Sequence, residues 1–457
     1  PPRLDAYAAL RDPNYRRFAS GFIASSTGLQ MLATGVTWEV YARTHDPLML
    51  GLIGFARALP VLFLTLPAGH AADLFNRLRI LISTQSAFAL IAAAMMAASL
   101  LHAPIWVFLL LMTLLGCVRS FNGPARGSLL PSIVPPHLFE NAVAWNSSFF
   151  QVSAIGGPIL AGLIGEATGV VWPVYLGAAI GCALFALSAS FIRPPAAQTF
   201  TGAGGKFNLA GMLDGMSHVW RDKTILSAIT LDLFAVLLGG ATALLPIYAA
   251  EILHVGERGH GILRSAPYVG ALIMGLLVAH LPPFRRSGMA LLLSVGGYGA
   301  CMLLFGLSTW FPLSVALLAL AGALDNVSVV IRHILVQTRT PDYLRGRVSA
   351  VNTVFIESSN ELGAFRSGLV ASAFGPIASV VSGGVGTILV VLGVAWIWPE
   401  VRRLGRLVEP APATAAPPAA AAPDPAAARP STPPTGAPSE SAAPRSSAPA
   451  APADTTA

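Results

Sequence analysis

Acidic side chains interrupt several long apolar runs of this sequence. A charge near the centre of a bilayer is costly, so it usually faces a cavity or an oppositely charged partner. A carboxylate in such surroundings can take up and release a proton near neutral pH. The residues proposed for this proton chemistry are Glu39, Asp232, Asp325, Glu357 and Glu361.

The alternative for these carboxylates is a buried ion pair that only holds helices together. Asp325 has Arg332 about two helical turns away, and Arg119 occupies the equivalent position of the sequence repeat described below. Glu357 and Glu361 are one helical turn apart, so they share a helix face. Both roles stay open at the sequence level.

Arg57 and Arg264 occupy equivalent positions of the repeat. Two arginines that face one cavity would bind an anionic or phenolate-bearing molecule through paired hydrogen bonds. The alternative is that each pairs with a carboxylate, such as Asp232 or Glu361, or extends to the membrane surface. Other polar positions expected to line the same cavity are Arg119, Gln30, Asn146, Gln151, Asn326 and Asn360.

The composition identifies the elements that must position these residues. Of the 457 residues, 54% are hydrophobic and only 11% are charged, which excludes an ordinary soluble domain. A membrane-spanning helix takes about 20 apolar residues. Apolar runs of that length fall at 18–42, 48–72, 80–101, 104–123, 139–167, 171–192, 224–250, 259–281, 288–308, 311–335, 347–374 and 377–399.

The predicted fold class is therefore an all-α polytopic membrane protein with twelve transmembrane helices in two pseudo-symmetric six-helix bundles. The basic residues form short clusters on alternate connections, which is the pattern of topology determinants and not of a nucleic-acid surface. No metal-ligand cluster, phosphate-binding loop or nucleophile with a base is evident, so we expect no metal, no cofactor, no catalytic residue and no enzyme activity.

Charge and composition divide the chain into five segments. Basic clusters place both termini and the central loop in the cytoplasm. From Glu409 onward the chain consists mostly of Ala, Pro, Ser and Thr, which is typical of disorder. The predicted segments are a cytoplasmic N-terminus (1–17), a first bundle (18–192), a cytoplasmic loop (193–223), a second bundle (224–400) and a disordered cytoplasmic tail (401–457).

An internal repeat supports two similar halves. VPPHLFENAVAWNS from Val134 aligns with TPDYLRGRVSAVNT from Thr340, and GFARALP from Gly54 aligns with GILRSAP from Gly261. Two repeated six-helix halves in the same orientation are typical of a class of transporters, in which the substrate path lies between the halves.

The connection after the second apolar run reads GHAADLFNRLR, with Gly69, Asp73, Arg77 and Arg79 at regular spacing. It resembles, in sequence and position, the loop signature of the major facilitator superfamily. In that interpretation Asp73 acts as a latch at the cytoplasmic gate. A basic cytoplasmic loop with an incidental aspartate is the alternative. The equivalent place in the second half has Ala279, so the latch is expected in the first half only.

The fifth apolar run contains SAIGGPILAG, which supplies Gly156, Gly157, Pro158 and Gly162. It resembles the antiporter motif of the same superfamily, which is associated with exporters, although its upstream glycine is missing. Close packing of helices alone would favour the same residues.

The stretches VRSFNGPARGSLLPSIVP and VQTRTPDYLRGRVSAVNTVFIESSNELGAFRSG resemble the branch of the superfamily that contains the enterobactin exporter and the macrolide efflux pumps. This resemblance implies a twelve-helix exporter of a siderophore-like or drug-like molecule in the bacterial inner membrane. Alternating access, proton antiport and function as a monomer are implied with it. The alternatives are an importer of the same fold and a membrane sensor or assembly protein that does not transport.

Overall fold

The computed structural model describes residues 5–193, 216–217, 219–281, 284, 286–341 and 344–405, and every secondary-structure element in these ranges is a helix. Most of the predicted central loop, from 194 to 215, and nearly all of the predicted tail, from 406 to 457, lie outside the described residues. The side chain of Asp73 also lies outside them, so its latch role stays a prediction.

Twelve long helical elements follow one another in the described ranges. They are α1 Pro13–Thr44, α2 Pro47–Leu74, α3 Arg77–Leu100, α4 Ile105–Ile133, α5 Phe139–Thr168, α6 Trp172–Ser190, α7 Lys223–Gly239, α8 Gly256–His280, α9 Ser287–Leu307, α10 Phe311–Arg339, α11 Arg345–Phe374 and α12 Pro376–Ile397. Short helical turns at Thr242–Leu244, Leu245–Ile247 and Tyr248–Ile252 continue α7, and short helices lie at Ala8–Arg11, Pro136–Leu138 and Pro399–Arg402.

Ten helical segments within the described residues are long and apolar enough to cross a membrane. They belong to every long element except α1 and α11. Those two helices are long enough but more polar, and α11 carries Glu357, Glu361 and Arg366. The all-helical polytopic class is confirmed, whereas the count of twelve spans depends on these two polar helices.

Polar residues at the junctions explain where several helices begin. The side chains of Asp12, Asp46, Asn76 and Asp222 accept hydrogen bonds of 2.8–3.2 Å from backbone N–H groups two or three residues later. Such caps satisfy N–H groups that have no partner within the helix. Each residue therefore marks the start of a helix.

The helices group into two bundles. In the first bundle α1 packs on α5 and α6, and α4 packs on α2 and α3; in the second, α8 and α9 pack on α10, and α12 packs on α7 and α9. The contacts between the bundles are mainly α2 with α11 and α5 with α8. These two crossings are equivalent under the sequence repeat, because α2 corresponds to α8 and α5 to α11.

Both crossings between the bundles depend on residues without a side chain. A Cβ on Gly368 of α11 would lie 2.6 Å from the Cα of Gly51 on α2. A Cβ on Gly162 of α5 would lie 2.6 Å from the carbonyl oxygen of Glu257 on α8. Glycine allows such backbone-to-backbone approach, and membrane helices use it widely.

The predicted apolar run over 224–250 coincides with one segment long and apolar enough to cross a membrane, Lys223–Ile252. Its helix is not regular throughout, because α7 stops at Gly239 and the chain continues in irregular turns. Side chains of other helices satisfy the freed carbonyls. Arg366 donates to the oxygen of Leu238 (2.8 Å), Ser367 to that of Gly240 (2.8 Å) and Tyr298 to that of Gly239 (3.2 Å). Irregular backbone is tolerated inside a membrane only when neighbours supply such partners.

The fourth span was predicted to end at 123, but α4 continues to Ile133 through Pro124 and Pro131. The added turns remain helical because they pack on neighbouring helices: Leu129, Leu130 and Ile133 are buried in a cluster with residues of α1 and α6. Apolar content alone therefore underestimates helices that extend beyond the hydrocarbon layer.

We predict that Gly368→Val weakens the α2–α11 crossing, because the new side chain would meet the α2 backbone. Overpacking of this kind costs about 1–3 kcal/mol. The apparent melting temperature in detergent micelles should fall, as measured by size-exclusion chromatography after heating. Gly393→Val is the matched control, since a Cβ there has no atom within 4 Å. Equal melting temperatures for the two variants would contradict the prediction.

Candidate functional site

Four charged residues join the two bundles, and we call them the interbundle charge cluster: Arg57, Arg119, Glu357 and Glu361. Arg57 Nη2 lies 2.5 Å from Glu361 Oε1. Arg119 Nη2 lies 2.7 Å from Glu357 Oε2, and its Nη1 lies 3.8 Å from Glu361 Oε1. Both arginines belong to the first bundle and both glutamates to α11, so each ion pair crosses between the bundles.

The cluster lies deep in the bundle. We call the end where the described chain starts and finishes the terminal end, and the opposite end the far end. Arg57 is ten residues past the start of α2, about 15 Å from the far end at a rise of about 1.5 Å per residue. Glu361 is about 20 Å from the far-end limit of α11 by the same rise.

Exposure separates the two ion pairs. The side chains of Arg57 and Glu361 are 21% and 10% exposed, whereas those of Arg119 and Glu357 are 43% and 33% exposed. Because Arg119 and Glu357 face each other across the two bundles, their exposed surface lies between the bundles. The cluster therefore forms one wall of an accessible space, with Glu361 at its closed side.

Arg264 is the repeat counterpart of Arg57, but its environment differs. Within the described residues it has no carboxylate at ion-pair distance, although it interacts electrostatically with Arg57, Glu361 and Tyr268. One turn further along α8, the carbonyl oxygen of Tyr268 accepts a 2.6 Å hydrogen bond from Nε2 of Gln151 on α5. Arg264 and Gln151 thus belong to the same interbundle region.

The carboxylates of the second bundle are arranged differently from the alternatives that the sequence suggested. Arg332 pairs with Asp232 of α7, and Arg119 pairs with Glu357, so neither arginine is the ion-pair partner of Asp325. Arg332 lies seven residues from Asp325, about 10 Å along the helix axis, which leaves Asp232 on the neighbouring helix as the closer partner.

Asp325 and Asp232 border a small cavity inside the second bundle, together with Tyr298 and Ser328. Both carboxylates and the arginine belong to helices of this one bundle. Asn326, the next residue on α10, has a buried side-chain oxygen without a hydrogen-bond partner in the described part of the chain. This polar region is therefore separate from the interbundle charge cluster.

Glu39 is only 4% exposed and is fully surrounded by donors. Ser99 donates to it at 2.7 Å, Tyr175 at 2.6 Å, and Arg43 forms an ion pair with it. Arg43 also donates to the carbonyl oxygens of Ser99 and Ala103 at 3.1 Å. These partners all belong to the first bundle, so the arrangement locks α1 to its neighbours, and Glu39 does not reach water.

The far end is closed by contacts between the bundles. The hydroxyl of Tyr41 donates to Glu251, and the rings of Trp38 and His260 stack with centroids 5.6 Å apart. His260 is 1% exposed and lies within α8. A helical signal was available, because Glu257, His260 and Arg264 recur at helix spacing.

The antiporter-like motif lies at this closed end. A Cβ on Gly157 would lie 2.6 Å from the Cβ of Gln30 on α1, and Gly162 approaches α8 as described above. Pro158 faces Gly261 of α8. Gly156 has no atom within 4 Å of an added Cβ, so it takes no part in the close contacts.

Apolar packing distinguishes the two ends. The cluster that includes Val40 and Tyr41 of the first bundle also includes Leu244 and Tyr248 of the second. At the terminal end, the described clusters each belong to a single bundle. The far end is thus a shared core, and the space between the bundles opens toward the terminal end.

The remaining predicted positions are distributed along this space. Asn146 of α5 has a buried side-chain oxygen with no described partner, and the side-chain nitrogen of Asn360 donates to its own helix at 2.9 Å. At the loop motif, Arg77 donates to the carbonyl oxygen of Ser128 at 3.1 Å and Arg79 is exposed. A Cβ added to Gly69 would have no neighbouring atom within 4 Å.

These features define a class of protein: a polytopic helical membrane protein with two bundles around a central polar space. The chain matches the family model of the Major Facilitator Superfamily over residues 18–364, and it belongs to that family. It is a multi-pass membrane protein and a transporter by family.

Two curated relatives are exporters. The chain is 25% identical to the multidrug efflux pump Tap of Mycolicibacterium fortuitum over 86% of this chain and 97% of Tap. It is 25% identical to the enterobactin exporter EntS of Shigella boydii over 86% of this chain and 93% of EntS. The resemblance to this branch of the superfamily is thereby confirmed.

Solved structures share the fold at lower identity. An inward-facing bacterial homolog of the human lysosomal transporter Spinster has a TM-score of 0.66 at 15% identity, covering 86% of this chain and 97% of the other. A D-xylose–proton symporter has a TM-score of 0.64 at 14% identity, covering 86% and 99%. The fold is therefore that of the superfamily.

We predict that the Arg57–Glu361 pair is energetically coupled. Each of Arg57→Met and Glu361→Leu leaves one charge without its partner deep in the protein, whereas the double variant removes both charges. Melting in micelles should give a coupling of about 1–3 kcal/mol in a double-mutant cycle. The exposed pair Arg11–Asp5, 76% and 37% exposed, is the control and should give a much smaller value. Additive effects at Arg57 and Glu361 would contradict the pairing.

Proposed function

We propose that this protein exports a small organic molecule from a bacterial cell across the inner membrane by alternating access, in exchange for protons. The observation that carries the proposal is the interbundle charge cluster, which ties together two bundles that are separate at the terminal end. The names of the relatives Tap and EntS support export of a drug-like or siderophore-like molecule.

The orientation follows from the basic residues. Arg16, Arg17, Arg77, Arg79 and Arg193 lie at the terminal end, and such residues are retained on the cytoplasmic side. The terminal end is then cytoplasmic, as are both termini. In this orientation the described conformation is open to the cytoplasm and closed to the outside.

Proton coupling requires a group that binds protons differently in the two conformations, because a ligand shifts an equilibrium only by its differential affinity. Opening the far end separates α2 and α4 from α11, so Glu357 and Glu361 lose their arginines. A carboxylate that loses its counter-ion binds a proton more readily. A proton would therefore bind from outside and leave into the cytoplasm when the ion pairs form again.

Asp232 and Asp325 are the second candidates. The Asp232–Arg332 pair is within one bundle, so a rigid-body movement of the bundles leaves it intact. For this reason we assign the coupling first to Glu357 and Glu361. Asp325 borders an internal cavity and serves in this proposal as a second proton site, whereas Glu39 holds the first bundle together.

Substrate binds, in this proposal, in the space between the bundles. Gln30, Asn146 and Gln151 supply hydrogen-bonding groups there. Asp73 latches the cytoplasmic end when the protein faces outward, and the glycines of α5 allow the tight closure of the outer end.

We predict that Glu361→Gln abolishes substrate-driven proton movement, since the amide cannot carry the proton. The test uses proteoliposomes with an internal pH-sensitive dye and supplies enterobactin or a macrolide. Asp232→Asn is the matched comparison and should retain proton movement. If proton movement is lost in Asp232→Asn and retained in Glu361→Gln, the coupling carboxylate is Asp232 on α7. Substrate flux without proton movement would contradict exchange, and no flux of either class would contradict export of these molecules.

We also predict that the outer end opens more often when the cluster is weakened. Thr34 is 2% exposed at the far end, so a cysteine there should react slowly with a membrane-impermeant maleimide added to intact cells. The background is the variant in which Cys117, Cys182 and Cys301 are replaced by serine. Adding Glu361→Gln should raise the labelling rate of Thr34→Cys several-fold.

The control for this labelling is Leu101→Cys, which is 79% exposed in the native protein. It should react rapidly in both backgrounds. If Leu101→Cys is unreactive from outside, the proposed orientation is wrong. If Thr34→Cys reacts equally with and without Glu361→Gln, the cluster does not hold the outer end closed.

A further inference from the structure

The central space carries more positive than negative charge. Four arginines of the two bundles interact there, namely Arg57, Arg119, Arg126 and Arg264, against two glutamates, Glu357 and Glu361. The glutamates are bound to Arg57 and Arg119. Arg126 and Arg264 have no carboxylate at ion-pair distance among the residues that the structure describes.

The two arginines without a carboxylate partner belong to different bundles. Arg264 is on α8 of the second bundle and interacts with Arg57 and Glu361 across the interface. Arg126 is on α4 of the first bundle, where its guanidinium lies 4.9 Å from the ring centre of Phe22. Arg119 and Arg126 are seven residues apart, which places them on one face of α4 two turns apart.

Other intramembrane arginines are accounted for by partners. Arg332 pairs with Asp232, Arg43 with Glu39, and Arg366 donates to a backbone carbonyl. A guanidinium at membrane depth is costly unless a partner or water satisfies it. Arg126 and Arg264 are thus the positions at which a ligand can supply the missing negative charge.

We propose that the transported molecule is acidic, and that Arg264 binds its carboxylate or phenolate while Arg126 receives it near the cytoplasmic opening. This inference rests on the proposed function and names the class of its substrate. A guanidinium is suited to the role because its planar fork donates two parallel hydrogen bonds to a carboxylate.

The positions of the arginines along their helices also define a path for the transported molecule. Arg126 is nearer the terminal end than Arg119, and Arg57 and Arg264 lie deeper. A molecule that enters from the terminal end therefore meets one positive group after another. Clefts lined with charge of one sign raise the local concentration of an oppositely charged ligand. The glutamates remain bound to Arg57 and Arg119 in this step, so acid binding need not compete with them.

The groups that face Arg264 constrain this interpretation. His260 lies one turn before it on α8 and Tyr268 one turn after it, and Glu361 approaches from α11. Glu361 is the nearest negative charge, but it is held 2.5 Å from Arg57. Arg264 is consequently the deepest arginine whose hydrogen-bonding capacity is left for a ligand.

The test compares molecules that differ only in charge. Benzoate, salicylate and indole-3-acetate are each matched with the corresponding amide, and benzylamine supplies the cation. Binding is measured as thermal stabilisation of the full-length protein in micelles, and transport as uptake into inside-out vesicles. The acids should bind about tenfold or more tightly than their amides, as expected for hydrogen bonds to a charged group.

Substitutions of Arg264 and Arg126 test whether these arginines cause the preference for acids. Arg264→Gln should remove the preference for acids, whereas Arg264→Lys should retain part of it because the charge remains. Arg126→Gln should slow uptake of acids with a smaller effect on binding. Arg258→Gln, at a side chain that is 59% exposed at the far end, is the control and should behave as the native protein does.

The outcomes separate this inference from the proposed function. Acids that bind through Arg264 but are not transported would contradict export and support an acid-binding site at Arg264. Transport of amides or amines with no preference for acids would support export and overturn the inference. Failure of every acid to bind, or an acid preference that persists in Arg264→Gln, would also overturn it.

Discussion

The ion pair between Arg57 and Glu361 is the interaction on which the arrangement of this protein depends. It joins residues 304 positions apart in the sequence, on different bundles, and both side chains are largely buried. A buried pair of this kind contributes little net stability relative to apolar residues, but removing one partner is strongly unfavourable. The pair therefore acts mainly by specifying which surfaces of the two bundles may meet. Arg119 and Glu357 form a second ion pair between the same two bundles, one helical turn away on α11.

Close backbone packing and charge pairing cooperate at the interface. Gly51 and Gly368 let α2 and α11 touch, which brings Arg57 within reach of Glu361. The equivalent crossing of α5 and α8 is equally tight, but its ion pair, Glu166 with Arg258 at 4.0 Å, is exposed. The repeat partner of Arg57 has no carboxylate at ion-pair distance among the described residues. The two halves are similar in packing and different in charge. Because of that difference, Arg264 can bind an anionic group, whereas its counterpart Arg57 is already paired with Glu361.

The sequence predicted the fold class and most helix positions, because apolar runs of membrane length are a strong signal and the helices follow them closely. The sequence did not predict the limits of helices that depend on contacts with other helices. The apolar run over 224–250 contains Gly239–Gly240, which permits a break. The break itself depends on Arg366, Ser367 and Tyr298 from other helices, which the run does not reveal. In α4 the polar and proline-containing end stays helical through packing that the composition does not reveal.

The types of site residue could be predicted, but their pairing could not. A charged residue in an apolar run is recognisable from sequence alone, and all members of the interbundle charge cluster were identified in this way. Which carboxylate meets which arginine depends on the rotation and register of helices far apart in the chain. Arg332 has Asp325 on its own helix and binds Asp232 instead. The buried Tyr175 and His260 were missed because uncharged aromatic groups are common in membrane helices.

The break in α7 has a mechanical consequence. Arg366 and Ser367 of α11 hold the carbonyls at the break, and the segment beyond it carries Glu251, which accepts from Tyr41 of the first bundle. The same α11 carries Glu357 and Glu361 about two turns away. A small rotation of α11 would therefore pull on the outer segment and on the central ion pairs together. In the transport cycle proposed above, α11 would therefore couple the state of a carboxylate in the middle of the membrane to the closure of the far end.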